Sequence, residues 1–272
     1  MKLLLLPFGL KDGGLTHISA VPSGLACECS CPACGDRLVA KKGVATQHHF
    51  AHQGGTDCAQ SLETALHLAA KDLLERRMQI TLPKVEVKFD GGAPDIQLRA
   101  ATTYAIDRVI LEKRIDSIIP DVLAFIGGAP LIVEVRVTHA VGAEKQARIA
   151  ALGMSAIEID LSEAPRTFEL SSLEATVVDD VSKKVWLFNS VAHDHHRALL
   201  SAAELKQTVM RGVAVHVDNC PINSRVWRGR SYANVSYDCL WCNHALAIGQ
   251  NMESVTCGAG KNEPPQEQLS LL

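Results

Sequence analysis

Residues 117–139 read SIIPDVLAFIGGAPLIVEVRVTH, two β-branched runs joined by Gly127-Gly128-Ala129-Pro130. That punctuation predicts a β-hairpin. Asp121 falls on the first strand and Glu134 on the second, each inside an otherwise apolar run. A buried carboxylate needs a partner, so two of them converging on one hairpin point to a cation between them, the layout of a divalent-metal site. Such a pair also occurs without a metal: Asp121 can cap or end a strand after Pro120, and Glu134 can pair with Arg136 across a solvated face. The surrounding sequence has to decide.

Upstream, a helix is expected from Ser61 to about Met78, because Leu62, Ala65, Leu66, Ala69, Leu73 and Leu74 recur as one apolar stripe. Glu63, His67 and Lys71 follow at four-residue steps along the edge of that stripe. An exposed charge ladder would share this spacing, but a row bordering the core side is placed to look into a site. Residues 84–89 alternate as a half-buried strand, Gly91-Gly92-Ala93-Pro94 is a turn, and residues 102–112 hold another strand. Arg108, Lys113 and Arg114 form a modest basic patch just before Asp121. Downstream come a helix from about Gly142 to Leu152, stopped by Gly153, and a strand over 155–162 with Ile157, Ile159 and Leu161 inward.

The chain has nine cysteines, grouped as metal ligands in a reducing cytoplasm would be rather than as a disulfide framework. Cys31-Pro-Ala-Cys34-Gly is a zinc knuckle, since two intervening residues let both thiolates reach one ion. His52 with Cys58 is the favoured second pair. His49 is the alternate, because on an ideal strand His49 and His52 point to opposite faces. Cys27 and Cys29 are read as spare buried thiols. An intact site of this kind contributes ~10–16 kcal/mol of apparent binding energy to a module too small to hold itself together.

The last third repeats the theme. His216, Cys220, Cys239 and Cys242 make a candidate second zinc site, with His244 the alternate to His216 and Cys257 expected to stay unliganded. Between its halves, Arg225, Trp227, Arg228 and Arg230 interleave cations with an aromatic, which supplies phosphate contacts and a stacking surface for unpaired bases. A solvated basic loop whose Trp packs on the zinc module is an even alternative. His193-Asp-His-His opens a helix expected to run through Leu205, and adjacent helix positions point in different directions, so the run reads as an exposed first turn.

Composition sets the outer bounds. With 272 residues, 47% of them hydrophobic and 21% charged, the chain is of ordinary globular make-up. Its net charge of −3 does not announce a nucleic-acid binder, so any such role rests on local basic clusters. MKLLLLPFGL reads as an opening strand, and no run approaches the ~18 apolar residues of a membrane span. From Gly258 onward the composition reads as a disordered tail.

In order, Cys31, Cys34, His49-Phe50-Ala51-His52, Glu63, His67, Lys71, Asp121 and Glu134 resemble the CoiA (competence protein) family, over about residues 25–165. That family couples an N-terminal zinc-finger-like segment to a PD-(D/E)xK restriction-endonuclease-like core. The resemblance implies an α/β fold, a restriction-endonuclease-like mixed sheet flanked by helices, and the Cys/His spacings read above add two small zinc-binding modules. The resemblance places the core in 61–165, behind the N-terminal strand and finger of 1–60; the residue patterns themselves place a helical segment and second zinc module in 166–257 and the tail in 258–272. It also implies Mg²⁺ or Mn²⁺ held by Asp121, Glu134, the Val135 carbonyl and Glu63, and hydrolysis of DNA, single- or double-stranded.

One residue departs from the family pattern: Arg136 stands where a lysine is usual. Arginine clamps phosphate but cannot act as a base. Three outcomes follow: Arg136 gives electrostatic stabilisation alone, Lys145 or Lys71 reaches in, or the site binds without cutting. Lys71 is in addition an expected nucleic-acid contact. The competing classes are a non-catalytic nucleic-acid-binding or assembly protein on the same scaffold and a zinc-stabilised interaction module. The expected setting is cytoplasmic, without a membrane, and compatible with a homodimer or a defence or competence complex.

Overall fold

The computed structural model describes residues 5–55, 58–163 and 169–259. They divide into two compact units, the residues up to Pro83 with Ala101–Asn189, and Lys84–Ala100 with the residues from Ser190 onward. Thus the finger and the core share one unit, and the segment 84–100 leaves it to join the other.

The first unit opens with two hairpins, β1 (Phe8–Lys11) with β2 (Gly14–His17) and β3 (Leu38–Lys41) with β4 (His49–His52). Helix α1 (Ser61–Arg77) follows, its apolar stripe buried as the spacing requires. Glu63 in its first turn and Arg76 and Arg77 in its last complement the helix dipole. Met78, in the left-handed region, closes it by donating its N–H to Leu74 O. β5 (Gln79–Leu82) comes next, then β6 (Val85–Val87) and β7 (Ile96–Arg99), which lie in the second unit, then β8 (Thr102–Ala105), paired with β5.

A five-stranded sheet forms the centre of this unit: β9 (Arg108–Leu111), β10 (Val122–Ile126), β11 (Ala129–Arg136), β12 (Ala156–Asp160) and β13 (Lys184–Phe188), side by side in that order. β9, β10 and β11 make an antiparallel meander, and α2 (Ala143–Leu152) crosses over so that β12 runs parallel to β11. α3 (Leu170–Val178) precedes β13, which is antiparallel to β12.

The expected hairpin is β10 with β11. Ile126 faces Ala129, leaving Gly127 and Gly128 as a two-residue turn with φ of 56° and 80°, a pair of left-handed positions suited to glycine. Asp121 stands one residue before β10 rather than on it. Strand alternation then divides the unit into two cores. Leu131, Val133 and Val135 join Leu66 and Leu74 of α1 and Val177 of α3, whereas Ile132 joins Ile149 of α2. Helices therefore cover both faces, a mixed α/β arrangement.

In the second unit, α4 (Ser190–Ala202) precedes β14 (Glu204–Arg211), β15 (Ala214–Asp218), β16 (Arg225–Trp227), β17 (Arg230–Asn234), β18 (Ala245–Ile248) and β19 (Ser254–Cys257). Six strands pair antiparallel in the order β16-β17-β15-β14-β19-β18. The helix expected to reach Leu205 ends at Ala202, because Leu205 takes its backbone bonds from the sheet, opposite Thr256. Most of the tail expected from Gly258 lies outside the described residues.

Gly91 and Gly92 are fixed by close approach. A Cβ on Gly91 would overlap the Ala245 carbonyl, and one on Gly92 would lie 2.5 Å from Cys242 N. Both obstacles are backbone and cannot swing aside. Gly92→Ala should therefore lower the stability of the second unit by about 1–3 kcal/mol, the usual cost of overpacking. The readout is the urea midpoint, and a midpoint equal to wild type would mean that this chain segment is held less tightly than the geometry requires.

Candidate metal and carboxylate site

The N-terminal finger is built on a turn. Gly35, with φ of 78°, donates its N–H to Cys31 O at 2.9 Å, which folds Cys34 back beside Cys31. The Cys31, Cys34, His52 and Cys58 ligand atoms all lie within 4.8 Å of one another, and Cys34 Sγ is 3.4 Å from His52 Nε2. The structure thus gathers the favoured four, while His49 bonds Gln47 O through Nδ1 and stays apart. A Cys₃His set of this closeness could bind one zinc ion. Cys58 O accepts from Ser61 Oγ at 2.8 Å, which ties the fourth cluster residue to the first residue of α1. Cys27 and Cys29 are buried and donate to the carbonyls of Leu38 and Cys27. Burial and then the neighbouring Cys27 push the Cys29 thiol up to about 11, so it stays protonated.

The carboxylates come together where α1, β11 and α2 meet the start of β10. Asp121 Oδ1 is 3.3 Å from His67 Nδ1 and 3.5 Å from Lys71 Nζ, and its Oδ2 accepts the Val135 N–H at 2.9 Å. Burial alone would raise its pKa. The His67 and Val135 hydrogen bonds and the nearby charges outweigh that and hold Asp121 below the usual carboxylate range.

Glu134 behaves in the opposite sense. It is 3% exposed, and that burial pushes its pKa up to about 6 despite the Lys145 ammonium 2.6 Å from Oε2. The charge of Asp121 adds to the rise. Oε1 of Glu134 is buried without a hydrogen-bond partner. An orphaned carboxylate oxygen costs about 1–3 kcal/mol or more, which makes it an apt ligand for a cation. Two hard oxygens, one of them free, fit a divalent ion of the Mg²⁺ or Mn²⁺ type.

Glu63, His67 and Lys71 line an open cleft of about 360 Å³ with Glu112, so the row along α1 does look into a concave surface. Among the described residues, Glu63, Asp121 and Glu134 do not form a set with ligand atoms within 4.8 Å of one another. Lys71 is 6% exposed and bonds Glu112 Oε1 at 2.7 Å as well as Asp121, so its ammonium serves carboxylates rather than an open phosphate surface. Arg136 turns to Asp160 at 3.6 Å, because the parallel register sets those two residues opposite each other. Lys145 takes the place beside Glu134 that the sequence offered to Arg136.

Sequence reasoning passed over Glu158. It faces Glu134 across β11 and β12, is 4% exposed, and accepts the Val141 N–H at 2.6 Å, which pins the loop entering α2. Its signal was the alternation of Ala156-Ile-Glu-Ile-Asp160, which puts Glu158 on the face opposite Ile157 and Ile159.

In the second unit, Cys220, Cys239 and Cys242 line one void together with Cys257. His216 instead bonds Ala214 O through Nδ1 and rests its ring on Tyr232. The basic hairpin β16–β17 turns at Arg228 and Gly229, both at positive φ. Arg225 grips Asp238 through two bonds of 2.6 and 3.1 Å, while the Arg228 guanidinium lies 4.5 Å over the ring of Trp227, which is 63% exposed. Arg230 is exposed.

The Glu134 environment makes stability pH-dependent. Its folded pKa of about 6 lies above the ordinary 4.5, so the folded state binds that proton more tightly. The resulting stabilisation is complete below about pH 4.5 and is lost as pH rises through 6. Asp121, held low, contributes above its ordinary 3.8 and loses that contribution as pH falls through its lowered value. In EDTA, Glu134→Gln should raise the unfolding free energy by up to about 2 kcal/mol at pH 8 and leave it nearly unchanged at pH 4.5. Urea titrations at the two pH values give the difference, and equal gains at both would contradict it.

The family model described as competence protein CoiA, N-terminal domain, matches residues 26–61. No curated protein and no solved structure matches the chain. The matched segment contains all four residues of the Cys31, Cys34, His52 and Cys58 cluster and ends on Ser61, the first residue of α1.

Proposed function

We propose that this chain is a Mg²⁺- or Mn²⁺-dependent deoxyribonuclease of the PD-(D/E)xK type. The observation that carries the reading is Glu134 Oε1, buried and unpartnered, on the strand adjoining Asp121. The element order supports it: with β5–β8 inserted after α1, the β9–β10–β11 meander, α2 and the parallel β12 run in the helix, three strands, helix, strand order expected of a restriction-endonuclease-like core. The match of residues 26–61 supports a competence-related, CoiA-like setting. The grouping of the nine cysteines at metal-ligand spacing favours a reducing cytoplasm.

Asp121 and Glu134 would hold the ion, with the Val135 carbonyl and Glu63 as further oxygen donors. When bound, it would polarise the scissile phosphate and lower the pKa of the attacking water. The chain's own residues supply the rest. Val135 N–H and His67 fix the Asp121 carboxylate, so its lone pairs keep one orientation. Lys145 reaches Glu134 from α2 and sets an ammonium beside the proposed ion site, while Arg136 faces Asp160. Trp227 with Arg228 and Arg230 provides a stacking and phosphate surface suited to a DNA strand with unpaired bases.

A second reading has its own support. Both Asp121 oxygens and one of Glu134 already hold protein donors, as they would in a scaffold that binds nucleic acid without cutting it. Cleavage of single- and double-stranded DNA with Mg²⁺ or Mn²⁺ separates the two. The wild type should cut, Asp121→Ala and Glu134→Ala should each lose at least about 100-fold, and Lys145→Ala should lose more than Arg136→Ala. A wild type inert in both metals that binds DNA with a steep salt dependence would leave the non-catalytic reading standing.

A further inference from the structure

We infer that the second unit carries its own structural zinc ion, in a Cys₄ site formed by Cys220, Cys239, Cys242 and Cys257. Three separate segments deliver these residues. Cys220 follows β15, Cys239 and Cys242 occupy the turn between β17 and β18, and Cys257 ends β19. All four line a void of about 20 Å³. Nothing in the chain order requires residues so far apart to converge: eighteen residues separate Cys220 from Cys239 and fourteen separate Cys242 from Cys257.

The backbone around the sulfurs is arranged as ligating thiolates need it. Cys242 N donates to Cys239 O at 3.1 Å, closing a one-turn knuckle that brings two thiols to one side. The His244 N–H then donates to Cys242 Sγ at 3.5 Å, which fixes the side chain of the knuckle's second cysteine. Cys220 starts a turn of its own, with Asn223 N donating to Cys220 O at 3.1 Å and Ser224 Oγ 3.5 Å from its sulfur. Lys206 also lines the void, its side chain 9% exposed.

Two rival explanations account for less. The four are not disulfide partners, since all nine cysteines are free. As plain core residues they would be expected to fill space, yet they surround a gap large enough for a water. The apolar cluster here is made mainly of Val217, Ala233, Val235, Ala245 and Val255, small side chains for a six-stranded sheet. A unit with so light a core gains most from a metal cross-link.

The cage is looser than the N-terminal one, whose ligand atoms alone among the described residues form a set within 4.8 Å of one another. Thiolates on one zinc sit about 3.8 Å apart, from a Zn–S distance near 2.3 Å. Ligation would therefore draw the sulfurs inward by side-chain rotation into the existing void. His216 contributes no ligand.

The test is zinc per full-length chain, by elemental analysis after gel filtration in reductant with excess Mg²⁺. We expect two ions in the wild type, one in Cys257→Ser, one in Cys34→Ser and two in His216→Ala. A wild type with one ion or fewer, a Cys257→Ser chain that keeps two, or a His216→Ala chain that drops to one would overturn the assignment. Should Cys257→Ser prove insoluble, the wild type is stripped and titrated with Co²⁺ under reductant. Thiolate charge-transfer absorption that saturates at two equivalents supports the site, and saturation at one overturns it.

Discussion

Asp121 is the side chain on which the first unit turns. One oxygen meets His67 and Lys71 of α1, and the other takes the Val135 N–H from the middle of the central sheet. A single carboxylate thus fixes a helix against a strand, from a position just outside β10 where it is free of the strand's alternation. Burial works against its charge, and three donors overcome that. Because the pull of those donors is directional, the helix row and the strand keep one register relative to each other.

Glu134 lies on the same hairpin with the balance reversed. It is nearly sealed from water, has one ammonium partner, and keeps one oxygen without any. The two acids therefore respond differently to their surroundings: Asp121 stays ionised well into acid, whereas Glu134 gains a proton near pH 6. An arrangement that leaves one carboxylate short of positive charge is costly for a scaffold alone and useful where a cation is to be added.

Much of this was legible in the chain. The Gly127-Gly128 turn between β-branched runs, the Glu63-His67-Lys71 row and the Cys31-Pro-Ala-Cys34 knuckle each follow from local periodicity or spacing, which sequence displays directly. What depends on pairing across strands was hidden. Arg136 looked like a site cation until the parallel register opposed it to Asp160, and Glu158 became visible only when β12 settled beside β11. Cys257 was discounted because it stands in a Gly-rich stretch, yet β19 pairs with β18 and carries it back to the knuckle. Gly91 and Gly92 read as a turn, while their actual constraint is the backbone of residues 239–246, some 150 positions later in the chain.

The donor chemistry of the chain is segregated by segment. Thiols and one imidazole gather in residues 31–58 and again, as thiols alone, in residues 220–257. The intervening sheet offers oxygen donors and ammonium groups with no cysteine among them, since no Cys occurs between Cys58 and Cys220. Soft thiolates bind zinc far more tightly than Mg²⁺, and carboxylates are poor competitors for zinc in their presence. Under the proposed function, a permanent ion for folding and an exchangeable hard ion for phosphate chemistry would require the two donor types to be kept apart, or the structural metal would occupy the reactive site. The distribution of cysteine along these 272 residues meets that requirement.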